Sequence, residues 1–421
     1  MTKYECPNNS KVNLIDLISC LSDAMDYIDP DIVNHHKHVA YVALCIAEEM
    51  GMSVRERNTL ILAGALHDIG AFSLRERKDT LSFEISKPAV HAQRGYKLLR
   101  LFDPTAAIAS IVRFHHTPWN HGKGSCIRDE QVPMESHIIH LADRISVLVN
   151  RKREILAQVP QICKTIMANS GSRFVPGMVD AFLTVAARES FWLDLTSQSL
   201  HQILSRKLHS KIMTLDYSDL VGFSMLFSRI IDFKSPFTAT HSRGVASSAR
   251  TLAGFLGFSN RGCTCMEIAG YLHDLGKLAV PVEILDKPAK LSRGEFNVVR
   301  HHTFYTYRIL ETIESLRIIN QWAAFHHERL DGSGYPFHLK SKDLPLGSQI
   351  MAVADVFTAL AEDRPYRVGM KKSEVLDELE AMVTRSALNG DIFSVLRVNY
   401  EEINATRAQA QADARVEYST L

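Results

Sequence analysis

The feature that most constrains this chain is a set of histidines and aspartates that occurs twice at matched spacing. The first copy consists of His35, His67, Asp68, His91, His115, His116 and Asp143. The second copy consists of His241, His273, Asp274, His302, His326, His327 and Asp355. In both copies the first histidine precedes the His-Asp pair by 32 residues, and the middle histidine precedes the His-His pair by 24. The matched spacing predicts a duplicated domain that carries a metal-binding set in each copy.

The residue types in each copy suit a pair of divalent cations. Imidazole and carboxylate bind such ions, and five histidines with two aspartates exceed what one tetrahedral ion needs. They match two ions about 3.5–4 Å apart. Since adjacent residues on a helix point about 100° apart, His273 and Asp274 can serve different ions, with Asp274 bridging. A single histidine on an apolar helix face is more often a core residue, but the repetition of the whole set favours ligation.

The hydrophobic pattern predicts an all-α fold of two tandem helical-bundle domains. Apolar residues recur at helical spacing in RNTLILAGALHDIG (57–70) and again in CMEIAGYLHDLGKL (265–278). We expect a first domain at 10–195, a helical connector at 196–211, a second domain at 212–405 and a polar tail that frays at 406–421. The connector segment lacks glycine and proline.

Composition excludes several functional classes. Among 421 residues, 48 basic and 47 acidic side chains leave a formal charge of +1, which argues against DNA or an anionic membrane as a partner. No apolar run approaches the roughly 20 residues needed to cross a bilayer. The first residues lack an apolar signal core, and the seven cysteines are scattered. We therefore expect a cytoplasmic protein with reduced thiols.

The second copy continues into motifs that the first lacks. HHERLDGSGYP covers residues 326–336, HDLGK covers 273–277 and DRPYR covers 363–367. In this order they resemble the HD-GYP family of bacterial cyclic-dinucleotide phosphodiesterases, and they identify both domains as HD-type bundles. The resemblance implies that the seven second-copy residues bind two metals, iron or manganese first, with nickel, cobalt, magnesium or zinc as alternatives. Phe237 stands where some members have a glutamate for a third metal, which implies a binuclear site.

The resemblance also implies roles for residues around the metals. His273 and Asp274 belong to the catalytic centre, and Lys277 contacts the scissile phosphate. Tyr335 packs on the bound dinucleotide. Arg364 and Arg367 hold phosphate oxygens, with arginine at the second position where the family usually has lysine.

The implied reaction is hydrolysis of a cyclic dinucleotide to a linear one. A hydroxide bridging the two ions attacks phosphorus in line, and the 3′ oxygen leaves. Cyclic di-GMP is one candidate substrate. The tandem arrangement, with the copy lacking Gly-Tyr-Pro first, also resembles enzymes that act on 3′,3′-cyclic GMP-AMP (3′,3′-cGAMP), and the motifs leave both substrates open.

The first copy keeps all seven ligand types but not the surrounding groups. Ala71 stands at the position of Lys277, and Lys152 at that of Arg364. HHTPWNHGKG (115–124) replaces the Gly-Tyr-Pro loop. Metal binding by this copy therefore stays open, and we expect it to serve as structural support, as a homodimer contact or as a regulator.

Two other interpretations remain. The chain could be a cyclic-dinucleotide sensor that signals as a scaffold without turnover, which the altered first copy favours. It could also carry out different HD chemistry, such as di-iron oxygenation or nucleoside monophosphate hydrolysis. The Gly-Tyr-Pro loop, Arg364 and Arg367 argue against this last class.

Overall fold

The protein is described from a computed structural model that covers residues 12–26, 34–71, 73–85, 88–207, 214–234, 240–363 and 367–419. The predicted all-α fold is confirmed. The chain forms two compact units. The N-terminal unit runs from Leu14 to Met213, and the C-terminal unit begins at Thr214 and includes the strand Val12–Asn13.

The N-terminal unit is built around a central helix that is buried along nearly its whole length. Its helices are α1 (Leu14–Asp26), α2 (His35–Glu49), α3 (Val54–Leu66), α4 (Leu74–Thr80), α5 (Pro88–Leu99), α6 (Asp103–Arg113), α7 (Met134–Leu148), α8 (Val159–Ala168), α9 (Pro176–Ala186), α10 (Glu189–Leu195) and α11 (Leu200–Lys207). The central helix is α2, which packs against α3, α7 and α9.

The C-terminal unit has the same plan, with a buried helix at its centre. Its helices are α12 (Tyr217–Lys234), α13 (His241–Phe255), α14 (Asn260–Leu272), α15 (Val282–Leu285), α16 (Arg293–Glu311), α17 (Arg317–Ala324), α18 (Leu346–Ala361), α19 (Lys372–Thr384), α20 (Gly390–Val398) and α21 (Tyr400–Ser419). The central helix is α13, which packs against α14, α18 and α21.

Short elements complete the two units. Four two-residue strands are described, β1 (Val12–Asn13), β2 (Cys126–Ile127), β3 (Glu130–Gln131) and β4 (Thr214–Leu215). Strand β1 pairs antiparallel with β4, and β2 pairs antiparallel with β3. Turns of 3-10 helix lie at Asn120–Ser125, Leu156–Gln158, Leu275–Ala279 and Glu314–Leu316.

The helix that carries the His-Asp pair begins and crosses its neighbour in the same way in both units. Ser53 and Ser259 are the N-cap residues of α3 and α14, and each side chain accepts a hydrogen bond from the first turn. Gly64 and Gly270 lie against the backbones of Ala40 and Ala246, where an added Cβ would clash. Glycine therefore lets the helices approach closely just before each His-Asp pair.

The structure shows how two of the predicted segments pack. The segment predicted as a tail from 406 onward continues helix α21, which packs on α13 and buries Gln411 and Ala414. Within the predicted connector, α11 belongs to the N-terminal unit and buries Leu200 and Leu204 there. Both segments are polar with sparse apolar residues, so sequence alone does not reveal which helices these segments pack against.

Cys265 is disulfide-bonded, so the prediction that every thiol is reduced is wrong at this position. Spacing along the chain does not show which cysteines meet in space. Among the described residues, no helix combines the length and the apolar character that crossing a bilayer requires.

Candidate metal centre

The structure brings all seven second-copy residues together inside the C-terminal unit. His241 begins α13, His273 and Asp274 follow the end of α14, and His302 lies within α16. His326 and His327 follow α17, and Asp355 lies in α18. Helix ends and buried helix faces thus converge on one point. Six of the seven residues are buried, and the side chain of His327 is 25% exposed.

Their ligand atoms form three overlapping groups in which all atoms lie within 4.8 Å of one another. The groups are His241 with His273 and Asp355, His273 with Asp274 and His326, and His302 with His326 and His327. Asp274 lies between the groups, with Oδ2 at 3.2 Å from Nε2 of His273 and Oδ1 at 3.4 Å from Nε2 of His302. Its two oxygens therefore face different histidines, as a bridging carboxylate requires.

Backbone carbonyls orient three of the imidazoles. The Nδ1 atoms of His273, His302 and His326 each lie within hydrogen-bonding distance of a carbonyl oxygen one turn earlier. The acceptors are Gly270 at 2.7 Å, Val299 at 2.6 Å and Ala323 at 2.7 Å. A donor at Nδ1 fixes the tautomer and leaves Nε2 as the ligand atom, the arrangement found around metal-binding histidines.

Burial keeps most of these imidazoles neutral, which metal ligation requires. It lowers the pKa of His302 to about 4 and that of His326 to about 3, and it holds the pKa of His327 well below its ordinary value. Burial alone would raise the pKa of Asp274, but the charges of His273 and Lys277 outweigh it, so the pKa lies well below its usual range. The site thus combines neutral imidazoles at His302, His326 and His327 with an ionised carboxylate at Asp274.

His241 is held by a second carboxylate that sequence reasoning did not single out. Its Nδ1 lies 3.0 Å from Oε1 of Glu362, and its Nε2 lies 3.1 Å from Oδ1 of Asp355. Burial alone would lower the pKa of His241, but the charges of Glu362 and Asp355 outweigh it and raise the pKa to about 10. Glu362 directly precedes the DRPYR motif, and only the fold brings it to His241.

The residues predicted to contact substrate differ in where the structure places them. Lys277 Nζ lies 2.6 Å from Oδ2 of Asp274, and the ring of Tyr335 lies 4.9 Å from that of His327. Arg367 donates a hydrogen bond to the backbone carbonyl of Ala359 in α18. Arg364 and Phe237 lie outside the described residues.

A buried glutamate fixes the loop that carries Tyr335. Glu328 is 2% exposed, and its carboxylate accepts hydrogen bonds from the backbone N–H groups of Phe337 at 2.7 Å and Leu339 at 3.0 Å. Gly334 packs against the backbone of residues 328 and 329, where an added Cβ would clash. Sequence reasoning missed Glu328, although an acid directly after a His-His pair was a usable signal.

The first copy gathers its ligands in the same way inside the N-terminal unit. One group of ligand atoms contains Asp68, His91, His115 and His116, and another contains His35, His67 and Asp143. Five of their buried atoms make no hydrogen bond in the described part of the chain. These atoms are Nε2 of His35, His67 and His115, and Oδ1 of Asp68 and Asp143. Buried polar atoms without hydrogen bonds are costly, and bound cations would satisfy them.

The surroundings of the first copy differ from those of the second. Arg144 is 1% exposed and donates to Oδ2 of Asp143 at 2.5 Å. The His35 Nδ1 partner is the hydroxyl of Ser146 at 3.1 Å, not a carboxylate. Ala71, at the position of Lys277, has no polar side chain, and its carbonyl accepts a hydrogen bond from Arg77 at 2.9 Å. Lys152 is exposed.

Comparison with known proteins agrees with this duplicated architecture. Models of the HD domain match residues 32–148 and 225–391. The chain is 32% identical over 402 residues to 3′3′-cGAMP-specific phosphodiesterase 1 of Vibrio cholerae, covering 93% of each chain. It is 30% identical over 306 residues to 3′3′-cGAMP-specific phosphodiesterase 3 of the same organism, covering 72% of this chain and 65% of that one.

Two further likenesses extend the comparison. A cyclic di-GMP phosphodiesterase of Thermotoga maritima is 34% identical over 171 residues, covering 40% of this chain and 46% of the relative. The crystal structure of a cyclic GMP-AMP specific phosphodiesterase from V. cholerae matches with a TM-score of 0.66 at 24% identity, covering 93% of this chain and 98% of that one. The structural match shows a shared fold.

Proposed function

Because this chain belongs to the HD-domain family of cyclic-dinucleotide phosphodiesterases, the HD-GYP family that its motifs resemble, we propose that it hydrolyses 3′,3′-cGAMP to a linear dinucleotide. The observation that carries the proposal is the ligand set of the C-terminal unit, in which seven buried or half-buried residues converge beside Lys277 and Tyr335. We choose cyclic GMP-AMP as the first candidate substrate because the relative named for it matches 93% of the chain.

The ligand set fits two divalent ions. The three groups of atoms overlap at His273 and His326, and Asp274 has an oxygen directed at each side. When bound, such ions supply a water of lowered pKa and stabilise charge on phosphate oxygens. Nitrogen and oxygen ligands of this kind suit iron or manganese, which we propose as the metals, with the other divalent ions less favoured.

The protein side chains bind and orient the phosphodiester. Lys277 carries a positive charge next to Asp274 at 18% exposure, so its ammonium can reach a non-bridging oxygen of a phosphate bound at the centre. Tyr335 forms a wall of the site against His327. Arg364 and Arg367 complete the proposed phosphate contacts. In the structure Arg367 donates a hydrogen bond to the Ala359 carbonyl.

Cyclic di-GMP is the second candidate substrate. Relatives named for this dinucleotide match less than half of the chain, as the T. maritima enzyme does. Both substrates present the same phosphodiester to the centre and differ in one base, so the same residues would cleave either.

Matched double substitutions test the proposal. His273→Ala with Asp274→Ala removes ligands of the C-terminal centre, whereas His67→Ala with Asp68→Ala removes the equivalent residues of the first copy. We expect the first pair to abolish hydrolysis of 3′,3′-cGAMP by the manganese- or iron-loaded chain, and the second pair to retain it. A wild-type chain that cleaves neither dinucleotide, or equal loss in both pairs with intact folding, would contradict the proposal.

We also propose that the first copy binds metal. Its five buried atoms without hydrogen bonds are the supporting observation. The loaded wild-type chain should then hold about four metals, and each double variant about two. A wild-type content of about two, unchanged by the His67→Ala, Asp68→Ala pair, would show that the first copy is empty.

A further inference from the structure

A cleft of about 520 Å³ lies beside the metal centre of the C-terminal unit. One wall is the face of α16 just before and after His302, and the other is the loop that follows His327. The cleft is lined by Asn297, Arg300, His301, Phe304, Tyr305 and Tyr335. Its volume lies in the range of small-ligand sites, and its walls combine aromatic rings with polar groups.

Tyr335 connects the cleft to the metal ligands. One ring contact joins it to His327 at 4.9 Å between centroids, and the guanidinium carbon of Arg300 lies 4.7 Å from the centre of the Tyr335 ring. This cation–π contact holds the guanidinium next to the metal centre. A nucleotide whose phosphate is bound at the centre therefore has its base within reach of Arg300.

Three polar side chains of the cleft, those of Arg300, Asn297 and His301, have no side-chain hydrogen-bonding partner within the described part of the protein. Arg300 contacts the ring of Tyr335, and His301 contacts the ring of Tyr305. Neither of these side chains, nor that of Asn297, makes a hydrogen bond or ion pair with the described residues. A guanidinium held by an aromatic ring, with its N–H donors uncommitted, is prepared to bind a ligand that offers two acceptors side by side.

We propose that this cleft binds the guanine base of the substrate and that Arg300 is the residue that recognises it. The inference rests on the proposed function. Guanine presents O6 and N7 as adjacent acceptors, which a guanidinium binds with two parallel hydrogen bonds. Adenine presents a donor in place of O6, so one of these bonds is lost and a donor faces a donor. Asn297 and His301 line the same cleft and offer further polar contacts to the base.

The first copy lacks this arrangement. By the spacing of the middle histidines, His91 and His302, the positions of Arg300 and His301 are occupied by Ala89 and Val90. Neither side chain can hydrogen-bond a base. The guanine-binding cleft is thus a property of the C-terminal unit, in addition to the ligands that both copies share.

The test compares Arg300→Ala and Arg300→Lys with Arg293→Ala, a control on the exposed first turn of the same helix. The metal-loaded full chain is assayed with cyclic di-GMP, 3′,3′-cGAMP and cyclic di-AMP. The wild type should favour the guanine-containing dinucleotides over cyclic di-AMP. Arg300→Ala should raise KM for them by roughly ten- to a hundred-fold, leave kcat within a few-fold and reduce the preference over cyclic di-AMP. Arg300→Lys should restore only part of the affinity, because an ammonium lacks the two parallel donors.

Other outcomes overturn the inference separately from the proposed function. An active wild type without preference for guanine, or an Arg300→Ala variant with unchanged KM and unchanged preference, contradicts the cleft assignment alone. A fall in kcat equal for all three dinucleotides, with KM constant, also contradicts it, because it would indicate a general effect on the centre. A wild type that cleaves no cyclic dinucleotide contradicts the proposed function itself.

Discussion

Glu362 contacts the Nδ1 side of the His241 imidazole, with its Oε1 at 3.0 Å from Nδ1. Glu362 is buried and also accepts a hydrogen bond from the side-chain amide of Gln411 in α21, at 2.8 Å. The first copy has only a serine hydroxyl behind His35 and an exposed Asn150 at the position of Glu362. A carboxylate behind a ligand histidine raises its basicity, so the two centres should differ in metal affinity.

We therefore predict that Glu362→Gln weakens metal binding in the C-terminal unit by about 10- to 100-fold. The substitution keeps the shape of the side chain and removes the charge that supports the His241 ligand. Competition with a chelator of known affinity measures the change. Asn150→Ala, at the equivalent position of the first copy, is the matched control and should leave the affinity of the C-terminal centre unchanged. Equal affinities for wild type and Glu362→Gln would refute this role.

Lys277 provides a prediction about turnover rather than metal binding. Lys277→Ala should lower kcat about 100-fold or more, because it removes a positive charge that stabilises the phosphate oxygens in the transition state. Metal content should stay constant, since the ammonium is not a ligand. The control is Lys287→Ala, which removes an ion pair with Glu295 in the same unit. If Lys277→Ala loses metal in proportion to activity, the residue supports Asp274 instead of the substrate.

Glu328 should determine the order of the loop that carries Tyr335. In Glu328→Gln only one side-chain oxygen remains, so one of the Phe337 and Leu339 N–H groups loses its acceptor. We expect the unfolding free energy to fall by about 2 kcal/mol and hydrogen exchange at these two amides to accelerate. Glu402→Gln, an exposed change in α21, is the control. Unchanged exchange at both amides would mean that the loop is held by other contacts.

The pKa of Asp232 leads to a prediction about how the stability of the protein depends on pH. Burial raises its pKa to about 7, although hydrogen bonds from Tyr418 and Ser242 oppose the shift. Between the ordinary carboxyl pKa and about 7 the folded protein keeps a proton that the unfolded chain releases. Stability should therefore fall as pH rises through this range and level off above it.

The Asp232→Asn variant tests this sign. The variant should lack the fall in stability that Asp232 causes as pH rises. Its free energy of unfolding at pH 8 should exceed that of wild type by up to about 4 kcal/mol. Denaturant unfolding of the chelator-treated chain at pH 5, 6.5 and 8 measures the effect. Parallel curves for the two proteins across this range would contradict the assignment.

The sequence predicted the all-α fold and the duplicated ligand set because both depend on local or repeated signals. Helical periodicity acts within a few turns, and the matched spacing identifies fourteen ligand positions that the structure groups by copy. Each ligand lies at a helix end or on a buried helix face, where spacing and periodicity are informative.

The supporting residues could not be predicted in the same way. Glu362 meets His241 and Gln411 across 121 and 49 residues of sequence, with no shared motif. Arg144 neutralises Asp143 in the first copy, although an adjacent Asp-Arg pair is usually an exposed one. Helix α21 packs on α13 through a few buried residues in a polar segment, and this arrangement exists only once the fold has formed.

The most direct test of the central claim is chromatographic analysis of the products that the manganese- or iron-loaded chain forms from 3′,3′-cGAMP and from cyclic di-GMP. We expect a linear dinucleotide from 3′,3′-cGAMP, with a higher kcat/KM than for cyclic di-GMP. We expect no product from the His273→Ala, Asp274→Ala chain. Intact 3′,3′-cGAMP after incubation with the loaded wild type, or the same linear product from the double variant, would contradict the proposed function.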